Sequence, residues 1–333
     1  MISQKLIAEK AGLSYATVSR AFTNSAYVRP ETMQKIRNAM QELGIYNNDN
    51  LFLGRSSLSK MVLVVVGDLS SEFYVSVVSG IHDGLAQFGY SISLCISKFQ
   101  ADVELSRMDA AADTGFAGII MITAVETEHM TNFLRHTKIP VVLVNRYIRS
   151  LDMDVVRIDN YRGGYLAAEH LVENGHKRVA HLAGQRNSAT TQDRLRGFRD
   201  GLADNGVAFG DQDIVYGDLK RSSGRTFGFK LMDEGYTAAF IGNDYMAVGT
   251  AYQLINSGKS IPRDVSLICF DDSPMISEDG LMISSISCDA HMMGETTADV
   301  LLRRLNDLLG DRIRSILSPR LIVRDSVRQL QPD

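Results

Sequence analysis

From Met61 onward, apolar runs of four to six residues alternate with amphipathic stretches of about 12–17 residues, and this alternation limits the fold more than any other feature of the chain. The runs fall at 61–66, 91–96, 118–122, 140–144, 155–158, 178–182, 238–241 and 265–269. A strand that is apolar along its length must be covered on both faces, as it is in a parallel sheet with helices above and below. About 270 residues of this pattern exceed the needs of one open sheet. The full 333 residues also pass the roughly 250–300 at which a single hydrophobic core stops growing. Two α/β lobes are expected, preceded by a separate segment.

In open parallel sheets, ligands settle beyond the carboxyl ends of the strands. Here those ends lead into Gly67-Asp68, Thr123, Asn145-Arg146, Asp159-Asn160, Gly184, Gly242-Asn243-Asp244 and Phe270-Asp271-Asp272. Carboxylates, carboxamides and guanidinium groups form paired hydrogen bonds with vicinal hydroxyls. Phe73 and Tyr74, just past the first strand, can stack on an apolar ring face. Each Asp or Asn at such a place also suits a helix N-cap, which accounts as well for Asp159 or Asn160 and for one member of each later pair.

The first 60 residues have different chemistry. The chain carries 35 Lys+Arg against 39 Asp+Glu, a formal net charge of −4, which taken whole argues against nucleic acid. The average hides a split, because residues 1–60 hold eight basic and four acidic side chains and the rest holds 27 and 35. A basic head on an acidic body points to one domain that meets polyanions. Three short helices fit the head. Ser3 suits the N-cap of a helix to about Lys10 with Leu6 and Ile7 inward, and Gly12 can take positive φ in the turn that follows. Ser14 caps a second helix from Tyr15 to about Thr23. Pro30 opens a third, with Met33, Ile36, Met40 and Leu43 on one face and Gly44 at its end.

Two helices joined by a short turn containing Gly match the helix-turn-helix unit, whose second helix enters the major groove. Val18, Ala21 and Phe22 use up the apolar face of that helix, leaving Tyr15, Ala16, Thr17, Ser19 and Arg20 outward. Arg donates two hydrogen bonds to guanine, Tyr offers a hydroxyl and a ring, and a small Ala admits a thymine methyl. Ser14, Thr17, Ser19 and Asn24 are short donors suited to phosphate oxygens. On periodicity alone, a small bundle with a solvated polar face fits as well.

The residues themselves favour the first reading. Ala11-Gly12-Leu13-Ser14-Tyr15-Ala16-Thr17-Val18-Ser19-Arg20-Ala21-Phe22 closely resembles the helix-turn-helix of the LacI/GalR family of bacterial transcription repressors. Further stretches resemble that family's effector domain: 159–171, Gly175-His176-Lys177-Arg178-Val179, Arg194-Leu195-Arg196-Gly197-Phe198, 243–249 and 262–272. The resemblance implies base reading by Tyr15, Ala16 and Arg20, with Ser14, Thr17 and Asn24 on the backbone. It implies an α/β effector domain with the type I, two-lobed fold of periplasmic sugar-binding proteins, each lobe completed by a late crossover. The domains it implies are a head at 1–46, a hinge at 47–60, one lobe at 61–160 with 290–318 and the other at 161–289 with 319–330. Effector contacts are implied for Phe73, Tyr74, Arg146, Thr190, Arg194, Leu219, Asn243 and Asp271. Retention of Arg194, Asn243 and Asp271 favours a sugar or related polyol. A purine is less favoured, since Arg146 and Leu219 offer no aromatic slot.

The hinge departs from the pattern. In the family a Pro-Asn-x-x-Ala-Arg-x-Leu segment becomes a helix on operator DNA and wedges its Leu into the minor groove. Aligned without gaps, this chain has Asn47 for Pro, Leu51-Phe52 for Ala-Arg and Gly54 in the Leu slot. Gly costs roughly 1 kcal/mol inside a helix, so the wedge is shifted to Phe52, Leu53 or Leu58, is weak, or is replaced by a flexible tether.

Other chemistries find little support. Cys95, Cys269 and Cys288 are widely spaced and odd in number, which argues against disulfides or a zinc site. Gly258-Lys259-Ser260 lacks the first Gly of a phosphate loop, since Gln253 stands there. His170, His176 and His181 have no partner at metal-ligand spacing and read as packing or capping residues. Asp271-Asp272 has no accompanying nucleophile. No signal peptide or membrane span is evident, so a cytoplasmic protein is expected. The expected protein is a homodimeric, sugar-responsive repressor without cofactor, metal or catalysis, bound to double-stranded operator DNA. A sugar-binding protein serving a transporter is the alternative, and an enzyme using the same cleft is a weaker third.

Overall fold

The computed structural model describes residues 4–23, 28–43, 60–148, 150–277, 281–306 and 310–331. Ser3, Asn24, Gly44 and the hinge residues 47–59 lie outside them. Among the described residues the head has three helices, α1 (Gln4–Ala11), α2 (Tyr15–Thr23) and α3 (Pro30–Glu42). Gly12 takes φ +64° between the first two, a conformation that costs glycine nothing. Ser14 Oγ accepts from the Thr17 N–H at 3.1 Å, capping α2. Ile7, Ala8, Val18, Ala21 and Ile36 make the core, with Met33 and Leu43 against it. Leu6 does not join them and is 46% exposed; the inward arc of α1 runs through Ile7, Ala8 and Ala11, one position round from the expected face. The Phe22 and Met40 side chains lie outside the described residues.

The body contains two six-stranded sheets. The first holds β1 (Met61–Val66), β2 (Ser91–Ile96), β3 (Gly118–Met121), β4 (Val141–Val144), β5 (Asp154–Ile158) and the late β11 (Arg314–Leu317), in the order β11-β5-β4-β3-β1-β2. The second holds β6 (Val179–Ala183), β7 (Ile214–Tyr216), β8 (Ala238–Ile241), β9 (Ser266–Asp271), β10 (Ser284–Ser287) and β12 (Arg320–Ile322), in the order β12-β10-β9-β8-β6-β7. All pairings are parallel except β10 with β12. Helices α4 (Glu72–Ala86), α5 (Ala101–Thr114), α6 (Glu128–His136) and α11 (Ala290–Asn306) cover the first sheet. Helices α7 (Asn160–Glu173), α8 (Ala189–Asp204), α9 (Arg221–Asp233) and α10 (Asp244–Asn256) cover the second.

The apolar runs follow from this layering. In β1, Val62, Val64 and Val66 pack with Val77, Ile81 and Leu301, while Leu63 and Val65 pack with Met108, Met130 and Leu134 on the other side. Among the described residues, the strands outside these eight runs are β7, β10, β11 and β12, which have three or four residues each and sit at or near sheet edges; β10, β11 and β12 carry Ser or Arg, and β7 is too short to stand out. There a strand is held by backbone pairing more than by burial.

The chain passes between lobes at residue 159, again at 288–289 and again at 318–319. Buried Arg304 secures the last return, donating through Nε and Nη2 to Asp154 at 2.7 and 2.8 Å and to the carbonyls of Gly310 and Asp311. Asp154 also accepts from the Ile313 N–H at 2.8 Å, fixing β11 beside β5. Three helix pairs cross backbone to backbone over glycine. A Cβ on Gly80 of α4 would lie 2.0 Å from the His291 carbonyl, one on Gly164 of α7 2.0 Å from that of Arg194, and one on Gly224 of α9 2.0 Å from that of Met246. Such contacts admit no side chain and set the height of the helices that carry the site. Among the described residues, no helix is long and apolar enough to cross a membrane.

Candidate functional site

In each sheet the first strand lies inside the sheet, β1 between β3 and β2 and β6 between β8 and β7. Connections leaving such a pair run in opposite directions and open a crevice at the strand ends. Both crevices open onto one cavity of about 280 Å³ between the lobes. Phe73, Tyr74, Arg146, Thr190, Arg194, Leu219, Asn243 and Asp271 all line it. The strand-end residues Asp68 and Asn145 line it as well, and so do Phe99, His181, Ser188, Asp218, Lys220 and Tyr245, which the sequence did not single out as contacts. The cleft continues into a second chamber of about 600 Å³ that shares Phe99, Arg146, Gln185 and Ser188 with the first.

On the first lobe, Asp68 accepts from the Ser70 N–H and hydroxyl at 3.0 and 2.8 Å, shaping the turn into α4. Phe73 and Tyr74 follow on the first turn, edge to face at 5.5 Å and 65°. Burial raises the Tyr74 hydroxyl pKa above its ordinary value, partly offset by Arg146 beside it. The Phe99 ring packs where a Cβ on Gly67 would be, 2.3 Å from the ring edge, so Gly67 is required for that ring to reach the cleft.

On the second lobe, Arg194 is the central cation. It donates through Nε to Asn160 Oδ1 at 2.8 Å and through Nη1 to the Gly242 carbonyl at 2.6 Å, with Asp271 Oδ1 3.7 Å from Nη2. Its guanidinium lies 3.5 Å above the Phe270 ring. Burial pulls its pKa down and Asp271 opposes this. Burial likewise raises Asp271, and Arg194 restrains the rise. Asp271 stands at φ +102° at the end of β9, which turns its carboxylate toward the cleft side of the sheet. Behind it, buried Asp244 accepts from the Ser273 N–H at 2.6 Å and the Cys269 thiol at 3.2 Å. Burial and then the Asp271 charge push Asp244 up to about 7.

The capping alternative holds in part. Asp159 caps α7, accepting from the Arg162 N–H at 2.9 Å. Asn160, one residue on, supports Arg194 instead. Asn243 caps α10 through Oδ1 and also donates to the Leu219 carbonyl at 3.1 Å, holding the Leu219 loop at the cleft. Asp272 pairs with Arg324 at 2.7 Å, away from the cavity lining. Thr123 bonds buried Glu104 and lines the second chamber.

Three side-chain hydrogen bonds cross the cleft among the described residues. Arg146 donates to Ser188 Oγ at 3.1 Å, Tyr147 to Asp193 at 2.9 Å, and Tyr245 to the Ser70 carbonyl. Ser188 Oγ in turn pairs with Thr190 Oγ1 at 2.8 Å.

The head offers a second candidate surface. Ser14, Tyr15 and Ala16 are exposed at the start of α2, with Tyr15 55% accessible. Thr17 and Ser19 are half-buried, and the Thr17 hydroxyl pairs with Ser14 Oγ at 2.8 Å. Arg20 lies on α2 with its side chain outside the described residues, as is Asn24 altogether.

Both the body and the head match known families. Residues 59–325 match the family of periplasmic binding proteins and sugar binding domains of the LacI family. Residues 5–48 match bacterial regulatory proteins of the lacI family. The HTH-type transcriptional regulator DegA of Bacillus subtilis is 26% identical over 328 residues, 97% of each chain. The HTH-type transcriptional repressor PurR of Aliivibrio fischeri is 25% identical, covering 98% of each. A solved transcriptional regulator CelR–cellobiose complex superposes with TM-score 0.75 at 26% identity, over 98% of this chain and 100% of that one. The chain belongs to the LacI family of bacterial regulatory proteins.

Proposed function

We propose that the protein is a homodimeric repressor of carbohydrate-utilisation genes whose operator affinity is set by a sugar or related polyol held between the two lobes. The observation that carries this reading is one cavity lined from both lobes and attached to a head that presents Tyr15 and Ala16 to solvent. The division of labour follows: 1–46 reads DNA, 47–60 couples, and the lobes 61–160 with 290–318 and 161–289 with 319–330 close on the effector. Tyr15, Ala16 and Arg20 meet base edges, while Ser14, Thr17, Ser19 and Asn24 position the backbone. Phe73 and Tyr74 supply a stacking face, and Arg146, Thr190, Arg194, Asn243 and Asp271 supply hydrogen bonds, with Leu219 closing the apolar side.

A ligand touching both lobes binds the closed arrangement better than the open one, and that difference is the free energy available to bias the heads. Two heads related by a two-fold axis fit half-sites about one helical turn apart. A transporter's sugar-binding protein would have no use for the helix-turn-helix. The test is fluorescence anisotropy of the full chain on DNA from upstream of its own gene, with and without sugars that raise its melting temperature, and light scattering for the dimer. A sugar that binds yet leaves DNA affinity unchanged, or a monomer on DNA, would refute the reading.

A further inference from the structure

We propose that the first lobe carries a second ligand site outside the cleft, at the edge of its sheet, which takes a small organic acid with an apolar body and acts on lobe closure through the Tyr147 ring. The site does not depend on what the cleft itself holds.

One face of β4, β5 and β11 builds it. The register sets Leu143 and Arg314 on either side of Val155, and Ile316 beside Arg157, so these five side chains share a face. Over that face the loop from Arg146 to Met153 forms the cover, where elsewhere a helix does. A pocket of about 260 Å³ lies between sheet and loop. Buried Leu143, Ile148, Met153 and Val155 make its base, and the more accessible Tyr147, Leu151, Arg157 and Arg314 stand around it. Pockets for drug-sized ligands begin at roughly 300 Å³, so this one suits a smaller occupant.

Charge decides its chemistry. Arg304 and Arg312 hold Asp154 at 2.7 and 3.5 Å, and Arg314 holds Asp152 at 2.7 Å. Arg157 has no carboxylate partner among the described residues, and its guanidinium lies 5.2 Å from the centre of the Tyr147 ring. Four guanidinium groups thus stand near two carboxylates, both already engaged, while Glu126 lies beyond the Tyr147 wall in the second chamber. A free guanidinium takes a planar carboxylate through two parallel hydrogen bonds. The apolar base asks for a hydrocarbon body, which sulfate or phosphate alone lacks.

Tyr147 and Ile148 line both this pocket and the second chamber of the cleft, and so form the wall between them. The Tyr147 hydroxyl crosses the cleft to Asp193 at 2.9 Å. A ligand behind the ring fills the space into which it would swing, which holds that bond and favours the closed lobes.

The test is calorimetric titration of the full chain with benzoate, phenylacetate, isovalerate and hexanoate, with their amides, and with acetate and sulfate, alongside methyl NMR of methionine-labelled protein. At least one of the larger acids is expected to bind with a Kd of about 1 mM or tighter and to shift the Met153 methyl signal. Its amide, acetate and sulfate should each bind at least about fivefold more weakly. Arg157→Gln should weaken the acid by a similar factor, Arg157→Lys should keep part of the affinity, and Leu151→Trp, which fills the pocket from the loop, should abolish binding. Lys220→Gln, in the cleft, should leave it unchanged. Hydrogen exchange over residues 185–196 should slow when the acid is added to wild type, and should not respond in Tyr147→Phe, which keeps the ring and the site but lacks the hydroxyl. The proposal is overturned if none of the acids binds at about 10 mM, if the amide binds as well as the acid, or if the Met153 signal stays in place when an acid binds. It is equally overturned if Lys220→Gln loses binding that folded Arg157→Gln keeps, because the acid then sits in the cleft. Exchange over 185–196 that is unchanged or faster in wild type overturns the coupling.

Discussion

Gly197→Ala tests whether the helix crossings set the site. Gly197 is in α8, three residues after Arg194, and an added Cβ would fall 1.9 Å from the Tyr161 carbonyl oxygen, 2.8 Å from its carbon and 3.0 Å from the Tyr165 nitrogen. These are backbone atoms of α7, so no side-chain rotation relieves the clash, and the helices must separate by more than an ångström. Ordinary overpacking costs about 1–3 kcal/mol, and here the obstacle is rigid, so the upper end applies. Replacing Gly by Ala within a helix returns about 1 kcal/mol. The net loss is about 2 kcal/mol, which for a lobe of this size lowers the melting temperature by roughly 4–8 °C. Separation also stretches the 2.8 Å bond from Arg194 to Asn160 and the 3.0 Å bond from Tyr161 to Asp200, so effector affinity should fall with stability. Scanning calorimetry of the full chain reads the first effect and titration the second. A variant as stable as wild type, or stabilised by the Ala propensity, would refute the reasoning.

Asp154→Leu strands the buried Arg304 guanidinium and should cost about 3–5 kcal/mol; adding Arg304→Met should recover more than half, as measured by denaturant unfolding. Asp244 is held up to about 7 in the folded protein, above an unfolded value of about 3.9, so its contribution is fully present below about pH 4 and is lost as pH rises from there to about 7. Asp244→Asn should match wild type near pH 4 and exceed it near pH 8 in thermal melts; an equal difference at both would sink the idea. With Gly54 in the hinge's Leu slot, DNA affinity is expected to rest on the basic head and to fall steeply between 50 and 200 mM salt, by about 10³-fold if six or more phosphates are met. Arg20→Ala should reduce specific DNA affinity by roughly 5- to 150-fold and spare effector binding, and a salt slope near zero would contradict the first of these.

Much of the fold is legible because two-sided burial leaves a mark: each of the eight apolar runs overlaps a strand, to within a residue or two at most ends. The unread strands, such as Ser284–Ser287, are placed by neighbours rather than by their own composition. At the site, strand ends alone point to Asp68, Asn145, Arg146, Asn243 and Asp271, all of which line the cavity. Thr190, Arg194 and Leu219 do not follow a strand directly; only the family resemblance reaches them. His181 reads as a packing residue because its sequence neighbours are strand residues, and nothing local says which nitrogen is protonated. That follows only once the Phe240 carbonyl is found opposite Nδ1. The glycine crossings are equally silent, since the partner backbone comes from another helix.

The attachment of the head constrains how any effector can act. Lys60, the last residue before β1, is anchored to the first lobe: its ammonium donates to the Phe88 carbonyl at 3.1 Å and lies 4.1 Å over the Tyr90 ring. Its carbonyl accepts from Ser91 at 2.8 Å. The chain toward the head therefore leaves from the first lobe, while Thr190, Arg194, Leu219, Asn243 and Asp271 belong to the second. Closure alone rotates one lobe against the other and leaves the point where the head is attached unchanged on its own lobe. For the effector to matter, the second lobe must be held by something outside the subunit, so that closure re-spaces two first lobes and the heads below them. A second copy of the chain meets that requirement, which is why the regulatory reading and the homodimer stand or fall together. The energy scale is adequate: the three bonds across the cleft, at about 1 kcal/mol each, match the ~1–3 kcal/mol by which allosteric sites are coupled.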